Sequence, residues 1–253
     1  MNELMRAVFR VAASLLVVLT LGGTLRAEGL LYQLPEDGSW AKFDLVGKAV
    51  EPDGKETSLS GTLTLSSVGT VDVEGQKCRW IELAVEASRN DQMFTDVEKL
   101  LIPEKYLVKG EDPLSHVLKA WHKHSMIAGG APQELQDVQN PDSPAGKQMR
   151  GTKLRPFLHG PFEMHRLLPK ALVESKLGSR ECLGVSAEEK IEGGVTANSK
   201  YVIRLHKDAP FGVVTWDAEM NLERDGMALG KMTTTATLSD FGKDAKSVIP
   251  EAR

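Results

Sequence analysis

The clearest structural signal in the chain lies in the segment Val214–Ser239, which reads VTWDAEMNLERDGMALGKMTTTATLS. Apolar residues occupy every second position in its first part, at Val214, Trp216, Ala218, Met220 and Leu222. A second alternating run follows the Asp225-Gly226 pair, at Met232, Thr234, Ala236 and Leu238. Because glycine accepts a positive φ without a steric clash, Asp-Gly favours a tight hairpin turn. The segment therefore predicts two antiparallel strands, each with one apolar and one polar face.

Two earlier segments show the same period of two. The segment Ser58–Leu65 carries Leu59, Gly61, Leu63 and Leu65 on one face, and the segment after Trp80 carries Ile81, Leu83, Val85 and Ala87. Weaker strands are predicted at Trp40–Val46, Val71–Val73, Met93–Ile102, Val185–Ile191 and Tyr201–His206. One-sided alternation is typical of antiparallel sheets, whereas parallel sheets are covered on both faces. We therefore expect a mainly β protein with roughly nine or ten antiparallel strands, and a parallel α/β enzyme is disfavoured.

Two helical segments are predicted in the middle of the chain. Asp112 can cap the first one and Pro113 suits its first turn. Its apolar face would consist of Leu114, Val117, Leu118, Trp121 and Ser125. The second spans Pro161–Leu177, with an interruption at Pro169. The fold is therefore expected to be α+β in detail, with this helical middle packed against the sheet.

The N-terminal segment has the composition of a signal peptide. Arg6 and Arg10 precede an apolar run, Val11–Leu21, and small residues follow as far as Ala27. A membrane anchor is the alternative, but it needs about 20 consecutive apolar residues, and no later segment reaches that length. We predict that residues 1–27 are a signal peptide and that the protein is exported, to the periplasm or to the extracellular medium.

The rest of the chain is predicted to be a single domain. The sequence has 253 residues, of which 41% are hydrophobic and 26% charged, which suffices for a core. Its net charge of −4, without a basic block, argues against a nucleic-acid partner. Residues 28–253 form the β-rich domain in this interpretation. Within it, the stretch at about 131–153 lacks periodicity and is rich in Pro, Gln, Asp and Gly, which predicts a flexible insertion.

Export would place the two cysteines, Cys78 and Cys182, in an oxidising compartment. The expectation is then one disulfide bond that closes a loop of about 100 residues. Two buried free thiols are the alternative, because each cysteine begins an apolar stretch.

No catalytic motif stands out in the chain. It lacks a Gly-x-Ser-x-Gly elbow, a phosphate-binding loop and a dinucleotide fingerprint. His116, His122 and His124 include no pair at the i, i+4 spacing of helical zinc ligands. We predict neither a cofactor nor a metal site, and we do not infer catalysis. An exported hydrolase that uses carboxylates, or His159 and His165, stays an alternative.

The apolar face of the predicted sheet is the remaining candidate for a functional site. Its proposed lining residues are Leu63, Leu65, Ile81, Leu83, Val85, Trp121, Val214, Trp216 and Met220. This face is either a filled core or the wall of a cavity for an acyl chain or another apolar ligand. In the second case, the helix around Trp121 would act as a lid.

Several short segments carry a resemblance to known proteins. The segments Asp37–Trp40, Cys78–Glu82 and Leu100–Lys105 resemble a family of exported bacterial β-rich proteins without an assigned function. Cys182, Tyr201–Leu205, Ala209–Val214 and Leu238–Gly242 are similar to the C-terminal half of periplasmic lipoprotein-carrier-like proteins.

The resemblance implies a strongly curved antiparallel sheet, or an incompletely closed barrel, with one or two helices on its concave side. It carries no catalytic residues. The leading hypothesis is a protein that binds a lipid, a lipoprotein acyl chain or an envelope component. The second hypothesis is an envelope scaffold that binds a partner protein through its insertion and polar faces.

Overall fold

The computed structural model describes residues 33–89, 92–108, 111–125, 130–140, 142–146, 164–191 and 196–250. The predicted signal peptide (1–27), residues 141 and 147–153 of the predicted insertion, and His159 lie outside these ranges.

The described residues form one antiparallel sheet of eleven strands. The strands are β1 (Trp40–Val50), β2 (Glu56–Val73), β3 (Gln76–Arg89), β4 (Gln92–Pro103), β5 (Lys119–His124), β6 (Gln133–Leu135), β7 (Met164–Val173), β8 (Arg180–Ile191), β9 (Thr196–Leu205), β10 (Val213–Arg224) and β11 (Met227–Gly242). Strands that are consecutive in the chain are paired, except for β6 and β7, which lie at the two edges of the sheet. The sheet is completed in its middle by the pairing of β1 with β11. This order confirms the predicted mainly β, antiparallel and unclosed architecture.

The sheet folds around a single core on one face. One contiguous buried cluster contains Phe43 of β1, Leu100 of β4, Val185 of β8 and Trp216 of β10. A flat sheet of this width would spread these side chains too far apart to share a core. Open sheets with this many strands usually curl. Because the buried side chains meet in one core, the sheet curls towards them, and the buried face is the concave one.

The pairing register fixes which side chains point into this core. Phe43 lies opposite both Leu63 and Leu238, and Leu63 lies opposite Val85. All four side chains are at most 5% exposed. They form one row of the core across β11, β1, β2 and β3. The apolar residues of the alternating segments therefore lie on the inner face of the sheet.

Two glycines are required by the backbone geometry. A Cβ at Gly61 would lie only 2.7 Å from the Cβ of Ala87, so this glycine lets β2 and β3 approach closely. In the β10–β11 turn, Asp225 and Gly226 both have a positive φ, of 51° and 76°. Positive φ at both central residues is the signature of a type I′ turn, so the predicted Asp-Gly hairpin is confirmed.

The outer face of β3 and β4 is covered by the C-terminal segment 243–250. The Glu82 carboxylate accepts hydrogen bonds from the Ser247 hydroxyl (2.7 Å) and from the amides of Val248 (2.8 Å) and Ile249 (3.2 Å). Lys99, which lies opposite Glu82, donates to the Ile249 carbonyl at 2.9 Å. Glu82 and Lys99 are each only 2% exposed as a result. The central part of β4 is therefore buried on both faces.

One end of the sheet, termed the packed end, contains Ser67, Arg79, Glu104 and Phe211. The buried Arg79 guanidinium donates to the Glu104 carboxylate at 2.6 and 3.0 Å and to the Ser67 hydroxyl at 2.8 Å. Burial acts to raise the pKa of Glu104, but hydrogen bonds from Arg79 and Lys77 outweigh it and lower this pKa. Phe211, in the turn between β9 and β10, is buried at the same end.

The first predicted helix is wrong. Asp112 does cap a turn, because its carboxylate accepts a hydrogen bond from the Leu114 amide, but the turn is a short 3-10 helix, Pro113–His116. Val117 is already extended, and the chain continues as β5, which pairs with β4. The capping residue Asp112 therefore correctly indicated the start of a helical turn, but the helix ends after that one turn.

The second predicted helix is also wrong, because this region contains the edge strand β7. Pro169 lies at an irregularity between Leu168 and Ala171. An edge strand tolerates proline there, since no neighbouring strand requires its missing N–H. The described residues contain no α-helix longer than the turn at 144–146, so the expectation of helices on the concave side is not supported. Within this part of the chain, no helix has the length and apolar character needed to cross a membrane.

Candidate functional site

A cavity of about 780 Å³ lies at the other end of the sheet, termed the open end, which contains the turns 51–55 and 225–226. Its volume is within the range of small-molecule sites. Residues of β1 to β5, of the β1–β2 turn and of β11 line it: Gly47, Lys48, Ala49, Glu51, Lys55, Thr57, Leu59, Arg89, Gln92, Phe94, Asp96, His124, Met232 and Thr234.

The cavity exists because the inner-face side chains of β1 become smaller towards the open end. Going along the strand, these residues are Phe43, Leu45, Gly47 and Ala49. Phe43 and Leu45 are buried in the core, whereas Gly47 and Ala49 border the cavity. The concave side is therefore filled at depth and hollow at the open end.

One wall of the cavity combines an aromatic ring with ionisable groups. Phe94 of β4 and His124 of β5 stack, with ring centroids 6.4 Å apart. In the pairing of β4 with β5, Asp96 lies opposite His124. The Asp96 carboxylate is hydrogen-bonded to the other histidine of β5, at 2.7 Å from Nε2 of His122. The centroids of the two histidine rings are 6.3 Å apart. This wall can hold an apolar chain against Phe94 and a polar group beside Asp96 and His124.

The rim of the cavity is more basic than acidic. It contains Lys48, Lys55 and Arg89 as bases and Glu51 as an acid. Lys48 is neutralised by Glu56, because its Nζ lies 2.6 Å from that carboxylate. Lys55 and Arg89 are exposed and form no ion pair with any residue that the structure describes. The rim therefore offers two cations for a ligand.

Eight of the nine predicted lining residues are buried inside the sheet, where they form the filled part of the interior: Leu63, Leu65, Ile81, Leu83, Val85, Val214, Trp216 and Met220. Two of them adjoin the cavity: Met220 lies opposite Met232 and Val85 lies opposite Asp96, and both of these partners border it. Most of the predicted residues therefore belong to the packed core next to the cavity and do not line the cavity itself.

The structure does not bring Trp121 together with the other eight residues. Trp121 lies opposite Lys99 on β5, whereas the neighbouring His122 lies opposite Glu98. Lys99 faces the outer side, where the C-terminal segment binds it. Trp121 therefore lies on the outer face of the sheet.

The predicted disulfide is wrong, because Cys78 and Cys182 are both buried free thiols. Cys78 lies opposite Val71 and Pro103, whereas Cys182 lies opposite Ala171. Five strands separate β3 from β8 in the sheet. Burial raises the pKa of both thiols, which makes them poor nucleophiles.

The hydrolase alternative stays a prediction. His165 pairs with Ala187 through the backbones of β7 and β8, and His159 lies outside the described residues. Over the described ranges, no three His, Cys, Asp or Glu side chains are arranged to hold a metal ion.

None of the residues that line the cavity was among the nine predicted lining residues. For Arg89 a signal was present, because the alternation Ile81, Leu83, Val85, Ala87 reaches Arg89 at its next step. For Asp96 and His124 there was no such signal. Their shared position follows from the pairing of β4 with β5, and the second of these strands was predicted as a helix.

Comparison with known proteins does not assign the chain to a family. No protein-family model matches it, and no curated protein matches it. Among solved structures, a DUF1329 family protein from Desulfovibrio piger is similar at 10% identity and a TM-score of 0.32, covering 82% of this chain and 86% of that one. A candidate lipoprotein from Parabacteroides distasonis is similar at 7% identity and a TM-score of 0.28, covering 86% and 100%.

A β-barrel-like protein of the DUF1849 domain from Brucella abortus is similar at 10% identity and a TM-score of 0.24, covering 83% of this chain and 98% of that one. All three TM-scores are too low to establish a common fold. The function of this chain is therefore inferred from its own geometry.

Proposed function

We propose that this chain is an exported protein that binds an apolar ligand, such as a lipid or a lipoprotein acyl chain, in the cavity at the open end. The observation that carries the proposal is the change along the inner face of β1, from Phe43 and Leu45 in the core to Gly47 and Ala49 at the cavity. Leu59, in the same row as Gly47, adds an apolar wall. Export rests on the composition of residues 1–27.

The hydrophobic effect supplies the driving force for this binding. Each methylene group that moves from water into an apolar site contributes about 0.8 kcal/mol. Phe94, Leu59 and Met232 provide the apolar surface, and Met adapts well to irregular ligands because its side chain is flexible. Burial of an acyl chain of several methylene groups in this cavity would therefore be sufficient to drive binding.

The proposal is tested by filling the cavity. The uncharged fluorescent probe N-phenyl-1-naphthylamine is titrated into the full chain and into two variants, Ala49→Trp and Val46→Trp. Ala49 borders the cavity, whereas Val46 is on the outer face of the same strand and is 61% exposed. We expect Ala49→Trp to weaken probe binding by about tenfold or more, because an indole occupies the space that the ligand needs. Val46→Trp should bind the probe as the unchanged chain does.

Thermal denaturation of each variant establishes that it is folded. If Ala49→Trp does not fold, Leu59→Trp takes its place, since Leu59 is only half-buried and borders the same cavity. Equal probe binding by the folded cavity variant and by Val46→Trp would overturn the proposal. Failure of the unchanged chain to bind the probe, together with no extractable lipid in native mass spectrometry, would also overturn it and favour the envelope scaffold.

A further inference from the structure

We infer that the open-end cavity prefers amphiphiles with an anionic head group, which Arg89 and Lys55 hold at its rim. This inference rests on the proposed function and names the chemistry of its ligand. A carboxylate and a phosphate share the relevant property, since both accept hydrogen bonds from a guanidinium in a bidentate manner.

The first argument is the gradient of polarity along β3. Its inner face runs through Leu83, Val85 and Ala87, all at most 5% exposed, and then reaches Arg89 at the open end. Arg89 lies opposite Leu59, which borders the cavity. A ligand with an apolar chain against Leu59 and Phe94 would therefore have its other end next to the guanidinium.

The second argument is the balance of charge around the cavity. The positive charge of Lys48 is neutralised by Glu56. The Asp96 carboxylate is only 8% exposed and lies deeper on β4, opposite the buried Val85, so it is not part of the rim. The charged side chains left at the rim are Lys55, Arg89 and Glu51. The charge of the rim is therefore positive, which favours an anionic head group over a cationic one at that place.

The size of the effect is set by solvent exposure. Arg89 and Lys55 are exposed, and exposed ion pairs stabilise a complex by a small amount, on the order of a two- to fivefold change in affinity each. Salt screens such pairs. The apolar chain therefore determines whether a ligand binds, and the rim determines which head group is preferred.

The inference is tested with ligands that share one chain and differ in the head group. Laurate, the uncharged monolaurin and dodecyltrimethylammonium each displace N-phenyl-1-naphthylamine from the full chain at low ionic strength. The variants are Arg89→Gln and Lys55→Gln, singly and together, and Glu51→Gln. The control is Lys200→Gln, which removes the same charge from an exposed ion pair with Glu188, away from the cavity.

We expect laurate to displace the probe at a concentration about tenfold lower than dodecyltrimethylammonium. In Arg89→Gln and in Lys55→Gln, the preference for laurate over dodecyltrimethylammonium should fall about threefold, and in the double variant it should nearly disappear. Glu51→Gln should increase the preference. The laurate preference is expressed relative to the monolaurin affinity of the same variant, which corrects for any change in the apolar part of the site, and Lys200→Gln should behave as the unchanged chain.

The outcomes separate the inference from the proposed function. If all ligands bind but laurate has no advantage, or if the double variant keeps it, the inference is overturned and the proposed function stands. If neither the probe nor any amphiphile binds, the proposed function fails. If acetate or inorganic phosphate alone abolishes laurate binding at the same concentration, the rim is a site for small anions and the inference is overturned.

Discussion

The two ends of the sheet use the same inner face in opposite ways. At the packed end, Arg79, Ser67 and Glu104 satisfy one another's hydrogen bonds, and Phe211 is buried beside β10. At the open end, Gly47 and Ala49 leave a cavity that Lys55 and Arg89 surround at its rim. The first arrangement stabilises the fold, whereas the second leaves apolar surface without a protein partner.

This difference indicates where the chain can change without loss of structure. Buried apolar groups and the buried Arg79 guanidinium both lose free energy when their partners are removed. Side chains that border a cavity have fewer packing partners to lose. Substitutions at the packed end should therefore act on stability, and substitutions at the open end on ligand binding.

The largest expected effect comes from a matched pair of truncations on β2, Leu63→Ala and Leu59→Ala. Both residues lie on the inner face, but Leu63 is 0% exposed and Leu59 is half-buried beside the cavity. Leu63→Ala should reduce the free energy of unfolding by about 3 kcal/mol and Leu59→Ala by about 1 kcal/mol. Urea denaturation of the ligand-free variants measures both values. Equal losses would show that the open end is packed as tightly as the core.

A smaller effect is expected from Glu104→Gln at the packed end. The amide keeps the shape of the side chain but removes the carboxylate that accepts two hydrogen bonds from the buried Arg79 guanidinium, and Asp37 is 3.8 Å from that guanidinium. The free energy of unfolding should therefore fall by about 2 kcal/mol at neutral pH. Because the pKa of Glu104 is lowered from 4.5 in the folded state, its contribution is complete above pH 4.5. It is lost as the pH falls through the lowered value.

Urea denaturation between pH 3 and pH 7 checks this prediction. The difference in stability between the unchanged chain and Glu104→Gln should shrink on acidification. The control is Lys243→Gln, which removes the cation of an exposed ion pair with Glu36. A difference that stays constant with pH would show that the Glu104 carboxylate makes no ionisation-dependent contribution.

The local part of this fold was predictable from the sequence. The β10–β11 hairpin follows from the alternation of Val214 to Leu222 and from Asp225-Gly226, and both are local properties of the chain. The antiparallel arrangement follows from the same alternation. Such features depend on the side chains of one or two adjacent segments, which the sequence displays directly.

The parts that were missed depend on contacts between distant segments. β5 places Ala120, His122 and His124 on its inner face, and its two inward histidines concealed the alternation. The position of His122 is stabilised by Asp96 on another strand. Lys99 is buried beneath the C-terminal segment, to which it donates a hydrogen bond, and nothing near Lys99 in the chain indicates this.

The candidate site shows the same division. Eight of the predicted lining residues are buried inside the sheet, but the space for a ligand is determined by the absence of bulk at Gly47 and Ala49. A small residue on an alternating strand can mark a cavity, a close strand contact or a bend. At Gly61 it marks a close contact with Ala87. The sequence does not distinguish these cases, because the difference lies in the neighbouring strand.

The smallest expected effect concerns the cysteines, both of which lie near the packed end. Cys78 precedes Arg79 on β3, and Cys182 lies near the start of β8. Since both are buried free thiols, dithiothreitol should leave the denaturation midpoint unchanged. Ellman's reagent should detect almost no thiol in the folded chain and two after unfolding in urea, because burial raises the pKa of each thiol and restricts access. A mass two hydrogens lower than that of the reduced chain, with a midpoint that falls on reduction, would contradict this. It would mean that the packed end is held by a covalent bond in addition to the Arg79 network.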